Sequence, residues 1–351
     1  MRDLLASVSS TGGPFGRATS GGGSAELPRR AFLMALVLGS GELLTGGARA
    51  AERARPFLIG ALTESWGPTP QMAGLRDGLL ALGYREHEQF VLGVRFTQGD
   101  LAALPAAARE LVQYGVDLIF VTEENPTKAV QMATPRIPVV FAAVGDPLGL
   151  GLIQSFARPG GNITGVTHLD LELGPKRLEI FREILPGLKR VLYPYDSSDA
   201  YAVAAAREYR GAARRLEVVL VEQEVRTQEE AQATIARVRK GEVDGILKPR
   251  GISLNIPGFI LRATTERAMP AMFDATWWVE QGGLASYGPD FYESGRQAAR
   301  LVDKILKGTN PAEIPVEVNP KIELAINLQV AKTLGVTIAP EVLYRADRLV
   351  R

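Results

Sequence analysis

The sequence contains no cysteine, which excludes disulfides, a thiol nucleophile and lipid attachment through a cysteine at a cleavage site. Histidine is nearly as scarce. His87 and His168 are the only two, so no histidine cluster is available for zinc. His87 falls in a charged loop, whereas His168 follows a strand and either lines a cleft or packs in a loop. An excess of one charge is also lacking. Forty basic side chains face thirty-nine acidic ones, and no basic run exceeds a short pair, so the electrostatic footprint of nucleic-acid binding is missing. No Gly-x-Ser-x-Gly elbow occurs, which removes the usual signature of serine hydrolysis. Gly149-Leu150-Gly151 lacks the third glycine and the acidic ribose partner of a dinucleotide loop and reads as chain-turning glycines. No enzyme and no cofactor are expected from this inventory.

The 351 residues are 46% hydrophobic, enough for two cores. The first fifty are expected to stand outside the fold. Residues 9–24 are rich in Gly, Ser and Thr and read as a disordered lead. Arg29-Arg30-Ala31-Phe32-Leu33 then opens an apolar segment that ends at Ala48-Arg49-Ala50, a small-x-small cleavage site. The uninterrupted apolar part, residues 31–38, is far shorter than the roughly 20 residues that span a bilayer. The order is that of an export signal, and the arginine pair suggests the twin-arginine route. A periplasmic protein starting near Ala51 is expected, with the export machinery as a partner.

Strands and helices alternate from residue 57 onward. Apolar strands are expected at 57–62, 91–96, 116–121 and 137–144, separated by helices at 72–82, 101–114 and 126–133. Residues 136–166 organise the chain. A buried strand stops at Gly145-Asp146-Pro147, a short helix is expected over 149–157, Pro159-Gly160-Gly161-Asn162 breaks it, and a strand resumes at 163–167. A linking helix over 174–185 leads into a second half with the same rhythm. There, strands are expected at 190–195, 217–222, 243–247, 271–273 and 322–328, and helices at 200–215, 228–240, 257–268, 290–306 and 329–334. Near-continuous apolar strands between helices predict an α/β fold with parallel sheets covered on both faces.

In such folds ligands lie beyond the carboxyl ends of the strands. That rule selects Glu64, Ser65 and Trp66 after the first strand, Thr122, Glu123, Glu124 and Asn125 after the third, and Gly145 with Asp146 after the fourth. From the second half it selects Asp196, Ser197, Ser198 and Asp199, Lys248 to Arg250, and Asp274 to Trp277. Several have a second reading. Asp146 either contacts a ligand or caps the helix expected after Pro147, and Asp196 and Ser197 precede a helix in the same way. Arg250 either clamps a carboxylate or sits in an exposed loop. Trp66, Trp277 and Trp278 are expected in loops where a planar ring could stack, with Trp278 the one expected in the core.

The runs GDPLGLGLIQSFARPGGNITGVTHLD, LELGPKRLEIFREILPGLKRV, EQGGLASYGPDFYESGRQAARLVDKILKGTNPAEIPVE and ELAINLQVAKTLGVTIAPEVLYRAD resemble, in order, the substrate-binding proteins of an ABC importer family. Its members include binders of tryptophan and related aromatic amino acids. The resemblance implies a type I periplasmic binding fold: two Rossmann-like lobes joined by a hinge of crossing strands. On it the chain crosses near Gly165, Tyr287 and Val316. The lobes would be 56–165 with 288–315, and 166–287 with 316–351, the helix over 290–306 returning to the first.

It further implies that a small polar molecule, such as an amino acid, is captured between the lobes and delivered to an ABC permease and its ATPase. The alternative is a sensory protein that presents the ligand to a membrane receptor. Relatives often carry Ser, Gly or Thr after the third strand, where backbone N–H groups hold a carboxylate. Here Glu123-Glu124 stand in that place, opposing an anion and favouring a cation or polyol if they point inward.

Overall fold

The computed structural model describes residues 55–65, 67–168, 170–239, 241–248, 261 and 266–351. The export signal expected over residues 29–50, Trp66, Arg250 and nearly all of the helix expected over 257–268 lie outside the described residues.

The first lobe is built on a six-stranded sheet with the order β11-β5-β4-β3-β1-β2. Its strands are β1 (Phe57–Thr63), β2 (Phe90–Phe96), β3 (Leu118–Thr122), β4 (Val139–Val144), β5 (Ile163–Thr167) and β11 (Glu317–Val318). All of its pairings are parallel. β1, β3 and β4 are apolar almost throughout and buried along most or all of their length, because helices cover both faces of the sheet. Those helices are α1 (Pro70–Ala81), α2 (Leu104–Tyr114) and α3 (Glu124–Ala133).

The second lobe has seven strands in the order β13-β12-β10-β9-β8-β6-β7: β6 (Arg190–Asp196), β7 (Val219–Val225), β8 (Gly245–Leu247), β9 (Ala271–Phe273), β10 (Ala285–Pro289), β12 (Ile322–Asn327) and β13 (Arg348–Val350). Its helices are α4 (Asp170–Ile184), α5 (Ala200–Arg215), α6 (Gln228–Arg237) and the short α7 (Thr276–Glu280). After α8 (Phe291–Leu306), the chain closes with α9 (Leu328–Thr333) and α10 (Pro340–Arg345). The two sheets carry separate cores, one around Phe120, Val140 and Leu301, the other around Phe181, Tyr193 and Met272.

The chain crosses between the sheets three times. β5 stays in the first sheet through Thr167, β10 stays in the second through Pro289, and β11 rejoins the first through Val318. Each crossing thus falls a few residues later than Gly165, Tyr287 and Val316. Because the chain re-enters the second sheet beside the point where it left, Pro289 pairs with Ile322 and β12 runs antiparallel to β10. Asn319 ties the later crossings together, its Nδ2 donating to the Asp290 carbonyl at 2.7 Å and to Ser294 Oγ at 2.9 Å. Asp290 also caps α8, accepting from the Glu293 N–H at 3.0 Å.

α8 returns to the first lobe and packs on α1 through two glycines. A Cβ on Gly74 would collide with the Tyr292 carbonyl, and one on Gly295 with the Gln71 carbonyl. Side chains at either position would hold the helices apart.

Three expectations are corrected. The helix expected over 149–157 is absent. Leu150 and Leu152 N–H groups make one turn of bonds to Asp146 and Pro147, then Gly151 adopts φ 67° and ends it. The linking helix begins earlier than 174, at Asp170, and carries Pro175 in its interior. The loop expected around the paired tryptophans is the helix α7, too short to leave a periodic signal.

Candidate interlobe ligand site

A cleft of about 810 Å³, part of it open to solvent, lies between the lobes. Its walls come from the carboxyl ends of β1, β3, β8 and β9, the position that parallel α/β architecture leaves free for ligands. The first lobe supplies Glu64 and Ser65 after β1, Glu123 after β3, and the Pro68–Thr69–Pro70–Gln71 start of α1. Facing them are Lys248 after β8, Asp274 after β9, Trp277 and Trp278 of α7, and Phe291 at the start of α8.

The first-lobe wall is acidic. Glu64 is 4% exposed, and its carboxyl is pushed well above the ordinary 4.5, first by burial and then by the negative charge and hydrogen bonding of Glu123. Glu124 and Asp199 push in the same direction. This carboxyl therefore keeps its proton to a higher pH than an ordinary glutamate. Glu64 Oε2 and Gln71 Oε1 are buried and have no hydrogen-bond partner among the described residues. Glu123 has φ 73° and ψ 170°, a region that residues with a Cβ seldom enter. The strain of about 1–3 kcal/mol typical of such residues is a mark of functional sites.

Helix starts on this wall are poor anion holders. Pro68 and Pro70 lack N–H groups, and the Thr69 hydroxyl already accepts from the Met72 N–H at 3.4 Å. At the start of α3 the carboxylate of Glu124 accepts from the Gly145 N–H at 2.9 Å.

The opposite wall is aromatic and carries an ion pair. Lys248 Nζ lies 2.7 Å from Asp274 Oδ2, the side chains being 11% and 10% exposed. The ammonium also stands over the Trp278 ring, 5.4 Å from its centroid. Trp278 stacks on Phe273 at 5.4 Å and meets Trp277 edge-on at 5.0 Å. It thus belongs to the second-lobe core and lines the cleft as well.

Of the residues selected from the sequence, the fold brings Glu64, Ser65, Glu123, Lys248, Asp274, Ala275 and Trp277 to the cleft. The others among the described residues sit elsewhere. The buried Thr122 hydroxyl donates to that of Thr63 at 3.0 Å, joining β3 to β1 beneath the cleft. Asn125 is half-buried in the first turn of α3. Asp146 is exposed and accepts from the Gly149 N–H at 2.8 Å, which makes it a turn cap. Asp196 is occupied by Ser198, which donates through N–H and Oγ at 2.9 and 2.6 Å, and the Ser197 N–H donates to the Val225 carbonyl. His168 is buried against Phe291, ring centroids 5.6 Å apart. Gln71 and Phe291 were not selected from the sequence, because each sits in a first helical turn that only the packing of α1 and α8 brings to the cleft.

Comparison with known proteins bears on what the cleft serves. A curated tyrosine-binding protein of Clostridioides difficile (strain R20291) is 25% identical over 254 residues, 72% of each chain. A solved conserved domain protein from Vibrio cholerae superimposes with a TM-score of 0.75 at 29% identity, covering 84% of this chain and 100% of that one. A solved ABC domain in complex with L-Trp from Streptococcus pneumonia gives 0.74 at 27% identity with the same coverage. The model of the ABC transporter substrate binding protein family matches residues 64–350. With nearly the whole folded chain matched, and two lobes closing on a cleft at their strand ends, the protein belongs to the ABC transporter substrate binding protein family.

Proposed function

We propose that the protein captures a small polar molecule carrying an aromatic ring in the interlobe cleft and delivers it, outside the cytoplasm, to an ABC permease and its ATPase. The observation that carries this reading is the cleft itself, where buried polar groups on one lobe face Trp277, Trp278 and Phe291 across the gap. The rings suit a planar solute and the acceptors fix its polar end. The L-Trp complex and the tyrosine-binding relative support an aromatic solute. The export-signal pattern read from residues 29–50 supports release into the periplasm, and no helix among the described residues is long and apolar enough to cross a membrane.

The mechanism is a population shift. A solute that bridges the lobes binds the closed form better than the open one and draws the protein closed, with the three crossings as hinge. The test is a thermal-shift screen of the protein, stripped of co-purified ligand, against amino acids, aromatic amines, nucleosides and sugars. A solute present at 100 times its dissociation constant stabilises by about 2.7 kcal/mol, visible as a higher melting temperature. Silence across the panel counts against the reading, and chemical turnover of a bound solute overturns it.

A further inference from the structure

We infer that Phe291 is the positioning residue for lobe closure: its ring joins the lobes at the hinge and also lines the cleft, so a solute that touches it acts on the crossings directly. The inference rests on the solute-binding reading above and deepens it by naming the residue through which occupancy reaches the hinge.

Phe291 opens α8, directly after the second crossing. Its backbone belongs with the first lobe, because α8 is seated on α1 where Gly74 and Gly295 let the two backbones touch. Its ring packs the other way, against the second-lobe cluster that holds Phe273, Ala275 and Trp278. A residue rooted in one lobe and packed in the other must change its contacts when the lobes rotate.

Neighbouring residues tie the same point to all three crossings. The Phe291 ring meets that of His168 edge-on, 5.6 Å between centroids, and His168 is the buried residue that follows β5. The Asn319 N–H donates to the Thr167 carbonyl at 2.9 Å, and Asn319 Nδ2 donates to the Asp290 carbonyl at 2.7 Å. Thr167, His168, Asp290, Phe291 and Asn319 therefore form one node. Among the described lining residues, Phe291 alone belongs to it. Trp277 lines the same cleft from α7, inside the second lobe.

An edge-on ring pair has a preferred geometry that an aliphatic side chain does not reproduce. A planar solute set between Phe291 and the second-lobe wall touches both fully only when the lobes are closed. That difference in contact is what a population shift requires.

The test reads the lobes in the full chain without solute. Because the sequence has no cysteine, Met132→Cys on α3 and Tyr344→Cys on α10, at positions 88% and 93% exposed, accept one spin label in each lobe. Pulsed electron resonance then gives the distribution of distances between them. Phe291→Leu is expected to shift or broaden that distribution, Phe291→Tyr, which keeps the ring, to restore it, and Trp277→Leu to leave it as in the parent. Calorimetry with L-tryptophan is expected to show Phe291→Leu and Trp277→Leu each weakening binding by about tenfold, so the distances are what separate the two rings.

Melting curves of each variant report folding, and Phe291→Met, which keeps the apolar bulk, replaces Phe291→Leu if the latter does not fold. A solute-free distribution in the folded variant that superimposes on the parent's overturns the inference, as does an equal change in Trp277→Leu. Failure of every solute in the thermal-shift panel counts against the solute-binding reading instead, since these distances are measured without solute.

Discussion

The hydroxyl of Tyr201, at the start of α5 in the second lobe, occupies the space where a Cβ on Gly145 of the first lobe would lie. Gly145 in turn donates its N–H to Glu124, so the end of β4, the start of α3 and the start of α5 meet at one point on the cleft's flank. Only a residue without a side chain admits that approach. Gly145→Ala is expected to hold the lobes apart and weaken solute binding by about tenfold, or ~1.4 kcal/mol, with Tyr201→Ala in the same chain restoring most of it. Titration with any solute that raises the melting temperature checks this. Unchanged affinity in Gly145→Ala would remove the contact from the closing mechanism.

The raised carboxyl of Glu64 gives a pH signature. A group whose folded pKa lies above its unfolded value contributes stability that is complete below the unfolded pKa and fades as pH rises through the folded one. For Glu64 that window opens near 4.5 and extends upward. Glu64→Gln should therefore gain in melting temperature over the parent as the pH is raised from acidic to neutral and beyond. Parallel melting curves across that range would need to diverge, and constant separation would contradict the assignment.

Lys248 and Asp274 lie in a buried setting where removal of one partner costs more than removal of both. Asp274→Asn is expected to lower stability by about 3 kcal/mol, and the double change Lys248→Met with Asp274→Asn by clearly less. Denaturant unfolding of the four proteins in a double-mutant cycle measures the coupling.

Gly74 lies against the Tyr292 carbonyl in the contact of α1 with α8. Gly74→Val should destabilise by about 1–3 kcal/mol or more, since the neighbour is backbone and cannot swing aside. The same change at Gly187, where a Cβ would meet nothing, serves as the comparison in denaturant melts.

Much of this architecture was legible as alternation. The runs FLIGALT, LIFVT and VVFAAV are apolar and β-branched, and each forms a parallel strand buried almost throughout. Their carboxyl ends led to Glu64, Ser65 and Glu123, and β9 led to Asp274, all on the cleft. The same rule also pointed to Asp146 and Asp196, which cap turns instead, because a short acidic side chain after a strand satisfies local N–H groups as readily as a ligand. It reached Lys248 too, but gave no hint that Asp274 holds it. Trp277 and Trp278 gave no helical period, since α7 has only five residues.

The sequence by itself determined the two α/β halves, most of their strands and helices along the chain and the neighbourhood of the site, because strand and helix periods are local and depend on consecutive side chains. Tertiary structure decided everything that depends on residues distant in the chain meeting. It set the return of α8 to the first lobe through Gly74 and Gly295, the antiparallel entry of β12, the seat of Tyr201 on Gly145, and the pairing of Lys248 with Asp274. It also raised the pKa of Glu64, through burial and through Glu123, Glu124 and Asp199 converging from both lobes. Desolvation and Coulomb energy act through space, and no pattern of neighbouring letters encodes them.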